Sequence, residues 1–212
     1  MNFGSSLESV MPIPLKPAGP NDERGYLIGI GGGFDAQANL SLAYQVISAA
    51  SVVDDWRQEV FIDLLGGKSS VGAAAYLAIV TRAPKIAAIT AASKSVLPNH
   101  AFQRLQKIIK AGGILDTYRD KLAHWTQIMV PREKELCLRD PSAPRERHKA
   151  PAMGIYIFPR TEMQQYVNYA GELASAQFTF RRIFAEGSPW PEAKFVELDQ
   201  MLEALAKERQ RL

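Results

Sequence analysis

Apolar residues recur every three or four positions over a long stretch of the chain that begins near residue 35. Asp35 is the candidate N-cap of the helix that this spacing predicts, and Gly66 with Gly67 would end it. A helix of about 30 residues extends roughly 45 Å, so it needs packing partners along its whole length. The positions of the apolar stripe are Leu42, Val46, Ala49, Val53, Trp56, Val60 and Leu64.

Helical periodicity continues through most of the rest of the chain. Gly112 and Gly113 lie in the middle of one of these helices, where they predict either a local break or a close approach of another helix. A short alanine-rich helix is predicted to start at Ser69 or Ser70, and Pro84 interrupts or ends it. The other predicted helices cover about 85–96, about 100–126, 161–184 and the residues after Pro191.

Two segments lack this periodicity. Residues 1–34 contain four prolines and a run of glycines, which predicts a mostly irregular N-terminal tail. Prolines also interrupt residues 127–160, where the run Ile155 to Phe158 favours a strand that pairs with part of 128–138 in a small hairpin. The predicted fold class is therefore all-α with a small β-hairpin insertion and C-terminal helices, in a single domain over 35–212.

Composition limits the classes of protein that this chain can belong to. Its 212 residues are 47% hydrophobic, which is enough for a sizeable core, and the single cysteine, Cys137, excludes a disulfide scaffold. A net charge of +3 does not by itself indicate a nucleic-acid binder. The first residues do not resemble a secretory signal, and the most apolar window, 71–80, is shorter than a membrane span. We therefore expect a cytoplasmic protein with no membrane partner.

Motifs for cofactors and metals are incomplete. The run from Gly66 to Ser69 resembles the end of a phosphate-binding loop, but Ile62 stands where the first glycine of that motif is required. The histidines His100, His124 and His148 are too far apart in sequence for a zinc motif. We therefore expect neither a cofactor nor a metal.

Residues 118–125 are the one stretch with an arrangement of chemically active side chains. Asp120 and His124 are one helical turn apart, so a hydrogen bond between them would orient the imidazole. Arg119 lies about 140° around the helix from His124, so the two side chains point apart within one protomer. A two-fold dimer axis beside the helix would bring two copies of the set around one cleft.

This stretch resembles the signature of HEPN domains, in which an arginine is followed four to six residues later by a histidine. Arg119 and His124 have that spacing, and Arg-Asp-Lys-Leu-Ala-His-Trp is similar to the Arg-Asn-x-x-Ala-His-Gly form common in the family. The resemblance covers about 35–126, with 127–160 as the hairpin insertion and 161–212 as further helices. It implies an up-and-down helical bundle that forms a homodimer with both signatures at the interface.

Many HEPN proteins are metal-independent endoribonucleases that act as toxins or in defence against phage. The resemblance implies that this chain cleaves single-stranded RNA in the same way. His124 would then assist proton transfer, Arg119 would hold the phosphate and Asp120 would orient the catalytic groups. Three cations at spacings of three on the same helix would extend the RNA-binding face: Arg104, Lys107 and Lys110.

The sequence departs from the family pattern at two positions. Asp120 replaces the commoner asparagine and would repel phosphate, and Trp125 replaces a small residue and would narrow the cleft. The alternative is a non-catalytic helical dimer that acts as a protein-interaction or regulatory module, in which Arg119, Asp120 and His124 only form an ion-pair network. A third interpretation is an RNA-binding partner without catalysis.

Overall fold

The structure, a computed structural model, describes residues 13–14, 34–67, 69–128, 130, 134–142 and 154–212. It is mostly helical (76%), with six helices and four strands in the described residues. Most of the predicted tail and of the loop between the hairpin strands lies outside them. The helices are α1 (Phe34–Leu64), α2 (Ser69–Ala78), α3 (Arg82–Val96), α4 (Asn99–His124), α5 (Arg160–Ala185) and α6 (Val196–Arg209), and a short 3-10 helix, Glu192–Phe195, precedes α6.

The long first helix is confirmed and forms the centre of the molecule. It begins at Phe34, one residue before the predicted cap, and gives way to Gly66 and Gly67, whose φ angles of 88° and 74° suit glycine. α2, α3, α4 and α5 all contact it. The predicted apolar stripe faces these neighbours, because all of its members except the partly buried Ala49 are buried.

The two glycines of α4 mark a close approach of helices and not a break, since α4 runs uninterrupted from Asn99 to His124. A β-carbon on Gly112 would lie 2.7 Å from Nη2 of Arg57 and 2.9 Å from Cγ1 of Val53, both on α1. A β-carbon on Gly113 would meet nothing within 4 Å. Only the first glycine is therefore required by packing.

Pro84 neither interrupts nor ends α2, contrary to the prediction. That helix stops at Ala78, and Pro84 lies in the first turn of α3, which starts at Arg82. The N–H groups of a first turn have no partner within their own helix, so proline costs little there.

The predicted hairpin is the middle of a larger sheet. Its four strands are β1 (Ile13–Pro14), β2 (Thr126–Ile128), β3 (Leu136–Arg139) and β4 (Ile155–Phe158), in the order β1-β4-β3-β2 with every pair antiparallel. The predicted pairing of β3 with β4 is confirmed. The strands that were not predicted, β1 and β2, are two and three residues long, and β1 contains a proline that only an edge position tolerates. Both are too short to have an alternating pattern from which a strand could be predicted.

The sheet closes one end of the bundle. Leu136, Leu138 and Phe158 join the main hydrophobic core, whereas the alternate residue Cys137 packs with Ile128 in a smaller cluster on the opposite face. None of the described helices combines the length and the apolarity that a lipid bilayer would require of a spanning segment.

Candidate functional site

The residues singled out in the sequence lie at the end of α4 that meets the sheet. His124 is the last residue of the helix and Trp125 is its C-cap. The Trp125 ring packs against Tyr156 and Phe158 of β4, with ring centroids 5.1 and 5.7 Å apart. The sheet therefore fixes the position of the helix end that carries Arg119, Asp120 and His124.

His124 is exposed, and its ring has no hydrogen-bond partner among the described residues. The predicted hydrogen bond between His124 and Asp120 is wrong for the single protomer, because the Asp120 carboxylate is turned towards Arg82 of α3. Both ring nitrogens are consequently available to an external ligand.

Asp120 is neutralised by two arginines. Arg82 of α3 donates from Nη1 to Oδ2 and from Nη2 to Oδ1, both at 3.1 Å, and Nη1 of Arg119 lies 3.3 Å from Oδ1. Burial alone would lower the pKa of Arg82, but the hydrogen-bonded Asp120 and the nearby Asp116 raise it. Two cations thus offset the carboxylate that was expected to repel phosphate, and Asp120 holds Arg119 in place.

This arrangement continues into the core as a chain of alternating charges. Arg57 of α1 and Asp116 of α4 pair at 2.8 Å with only 1% of each side chain exposed, and Nε of Arg82 lies 3.4 Å from Asp116. The full chain, which we call the buried charge chain, comprises Arg57, Asp116, Arg82, Asp120 and Arg119. It connects α1, α3 and α4 and reaches the surface at Arg119 and Asp120.

Arg57 and Asp116 were not among the residues predicted from the sequence, although their positions in it indicate a buried pair. Arg57 lies four residues after Val53 and three before Val60, within the apolar stripe of α1. Asp116 is likewise four residues after the closely packed Gly112. A charged residue inside an apolar stripe needs a buried counter-ion, and two such residues predict each other.

A second polar cluster attaches α2 and α3 to α1. Asp54 of α1 accepts hydrogen bonds from the Tyr76 hydroxyl at 2.9 Å and from Nζ of Lys85 at 3.1 Å. Burial would raise the pKa of Asp54, but these two hydrogen bonds outweigh it and hold the pKa below its ordinary value. Asp54 is therefore a structural carboxylate and stays ionised at neutral pH.

The tyrosine before Arg119, Tyr118, belongs to the core. Its ring stacks on Tyr166 of α5 with centroids 3.6 Å apart and an interplanar angle of 9°. Glu162 in the first turn of α5 lies beside this pair, and burial raises its pKa, although Tyr118 and Lys121 act in the opposite direction. Both tyrosines are buried, so neither is placed to stack on a nucleic-acid base.

The three predicted RNA-binding cations line a different surface, a cleft of about 680 Å³ between α4 and α6. Arg104 is held there by Asp199, with its Nε 2.8 Å from Oδ1, whereas Lys107 and Lys110 are exposed. Lys110 and His124 are 14 positions apart, which places them roughly 40° apart around α4 and about 21 Å apart along it. The structure therefore does not bring the cations together with the end of α4.

The described residues hold no cluster of three or more His, Cys, Asp or Glu side chains suited to a metal ion.

Comparison of the chain with protein-family models, with curated proteins and with solved structures found no match.

Proposed function

We propose that the chain is a HEPN-like homodimeric helical protein that cleaves single-stranded RNA without a metal ion, in the manner of toxin or phage-defence ribonucleases. The observation that carries the proposal is the exposed His124 ring at the end of α4, which has no hydrogen-bond partner among the described residues. It is accompanied by Arg119 and by a carboxylate whose charge two arginines offset.

The chemistry needs an acid–base group and a cation. His124 would take the proton from a ribose 2′-hydroxyl while that oxygen attacks the adjacent phosphorus. The bond from phosphorus to the 5′-oxygen would break as the 5′-oxygen takes a proton from solvent water, which leaves a 2′,3′-cyclic phosphate and a 5′-hydroxyl. Arg119 would offset the charge that develops on the phosphate. Asp120 would act as a positioning residue through its contact with Arg119 and would not touch the substrate.

A second copy would complete the site, because Arg119 and His124 diverge on one helix. The α2 surface is suited to such a copy: no charged residue occurs from Ser69 to Val80, and Val71, Leu77 and Val80 are 66%, 66% and 91% exposed. Without charges, two α2 helices related by a two-fold axis meet no electrostatic repulsion. Val80 lies just after α2 and two residues before Arg82, so this surface borders the middle member of the buried charge chain.

Cleavage of single-stranded RNA in excess EDTA tests the catalytic claim. We expect the wild-type protein to cleave and His124→Ala to lose about 100- to 10,000-fold in rate, the range that positioned acid–base groups contribute. Arg119→Ala should lose a comparable factor. The rates are measured by gel electrophoresis of end-labelled oligonucleotides.

Lys94→Ala serves as the matched control, since Lys94 is an exposed cation on α3 away from the site. Equal cleavage by the wild type, both site variants and this control would identify a contaminant and refute the catalytic claim. A dimer that leaves RNA intact would favour the alternative, a non-catalytic interaction module that uses the same α2 surface.

Association is tested separately by sedimentation of the full chain at micromolar concentration. We expect a dimer for the wild type and a monomer for the double variant Leu77→Glu/Val80→Glu, because four like charges would face each other across the two-fold axis. Val196→Glu, at a 57% exposed position on α6, is the control and should stay dimeric. A monomeric wild type would contradict both the nuclease and the interaction-module proposals.

A further inference from the structure

We infer that the cleft between α4 and α6 binds an amphiphilic organic anion, that is, a carboxylate carried on an apolar chain. The cleft measures about 680 Å³. Sites for small organic ligands typically enclose about 300–1,000 Å³ and combine an apolar lining with a few placed polar groups. The volume of this cleft lies within that range, five of its lining residues are aliphatic, and its surface is separate from the end of α4.

The charges of the cleft favour an anion. Lys107, Lys110 and Arg209 line it, and none of the three forms an ion pair with a described residue. Arg104 and Asp199 neutralise each other at one end. The other acidic residues in the lining are Glu192 and Glu203, and Glu192 interacts electrostatically with Arg104 at the Asp199 end. After the Arg104–Asp199 pair, three cations therefore remain against two carboxylates, Glu192 and Glu203, and Lys107 also acts electrostatically on Asp199.

The lining between these charges is apolar. Ala111 and Ile114 of α4 face Leu202 and Ala206 of α6 along the cleft. An RNA strand needs cations at successive phosphates and gains little from such an aliphatic floor, whereas an alkyl chain is stabilised by about 0.8 kcal/mol for each methylene that it buries. The combination of cations above an aliphatic floor favours an amphiphile over a nucleic acid.

Isothermal titration of the full-length protein with decanoate tests this inference. We expect a Kd of about 1 mM or lower for decanoate, no measurable binding of acetate, which lacks the apolar chain, and none of decyltrimethylammonium, which has the opposite charge. The variant Lys107→Gln/Lys110→Gln/Arg209→Gln should weaken decanoate binding by about 10-fold or more. Circular dichroism verifies that this variant keeps the helical content of the wild type.

A control with the same change of charge is Lys94→Gln/Arg160→Gln/Lys207→Gln, whose positions are exposed and outside the cleft. It should leave decanoate binding within about 2-fold of the wild type. The inference is overturned by wild-type protein that binds no decanoate, by equal weakening in the two triple variants, or by equal binding of the cationic analogue. It is also overturned if the wild type binds a single-stranded RNA but not decanoate, and the cleft variant no longer binds that RNA. None of these results depends on whether His124 cleaves RNA.

Discussion

Replacing Asp116 by alanine is expected to lower the free energy of unfolding by about 3–5 kcal/mol, the usual cost of leaving one member of a buried ion pair without its partner. Arg57 would then carry its charge in the core with 1% of its side chain exposed. Arg82 would also lose its inner contact, which is 3.4 Å long. Denaturation by urea, followed by circular dichroism, measures the change.

The buried charge chain supplies its own control. Asp120 is 40% exposed, so its pairs with Arg82 and Arg119 are screened by water, and Asp120→Ala should cost less than about 1 kcal/mol. The double variant Arg57→Met/Asp116→Leu removes both buried charges and should recover most of the stability that Asp116→Ala loses. An Asp116→Ala protein as stable as Asp120→Ala would show that Arg57 does not depend on this carboxylate.

The second large effect is expected at Gly112. Gly112→Ala would place a methyl group 2.7 Å from Nη2 of Arg57 and 2.9 Å from Cγ1 of Val53. Neither atom can move aside freely, because Arg57 is held by Asp116 and Val53 is buried. We expect a loss of about 1–3 kcal/mol, the usual cost of overpacking, even though alanine favours helix over glycine.

The neighbouring glycine makes a precise comparison possible. A methyl group on Gly113 meets nothing within 4 Å, so Gly113→Ala should stabilise α4 by up to about 1 kcal/mol through helix propensity alone. Thermal and urea denaturation of the two variants should therefore shift in opposite directions. Two shifts of the same sign would contradict the close contact between α1 and α4.

The helices could be predicted from the sequence because each has a repeating apolar pattern. The stripe of α1 and the spacing of Leu198, Leu202 and Leu205 in α6 both correspond to buried faces. The pairing of β3 with β4 followed from the β-branched and aromatic residues of Ile155 to Phe158. A two-residue edge strand such as β1 has no period to detect, so the full sheet could not be predicted.

The partner of Asp120 could not be predicted, because it lies far away in the chain. Asp120 was expected to contact His124 one turn away, but it pairs with Arg82, which is 38 positions distant. Local spacing defines which side chains share a helix face and not which other helix faces them. The roles of Arg119, Asp120 and His124 in catalysis, and of Arg104, Lys107 and Lys110 in RNA binding, stay predictions.

The packing of Trp125 on the sheet has a consequence for motion. Terminal turns of helices ordinarily fray, because their last carbonyl groups lack partners within the helix. Here the N–H of Trp125 bonds the Lys121 carbonyl at 3.0 Å, its ring is covered by β4, and β2 begins at the next residue. The sheet therefore stabilises the last turn of α4. His124 is exposed to solvent, but the helix backbone to which it belongs has little freedom to unwind.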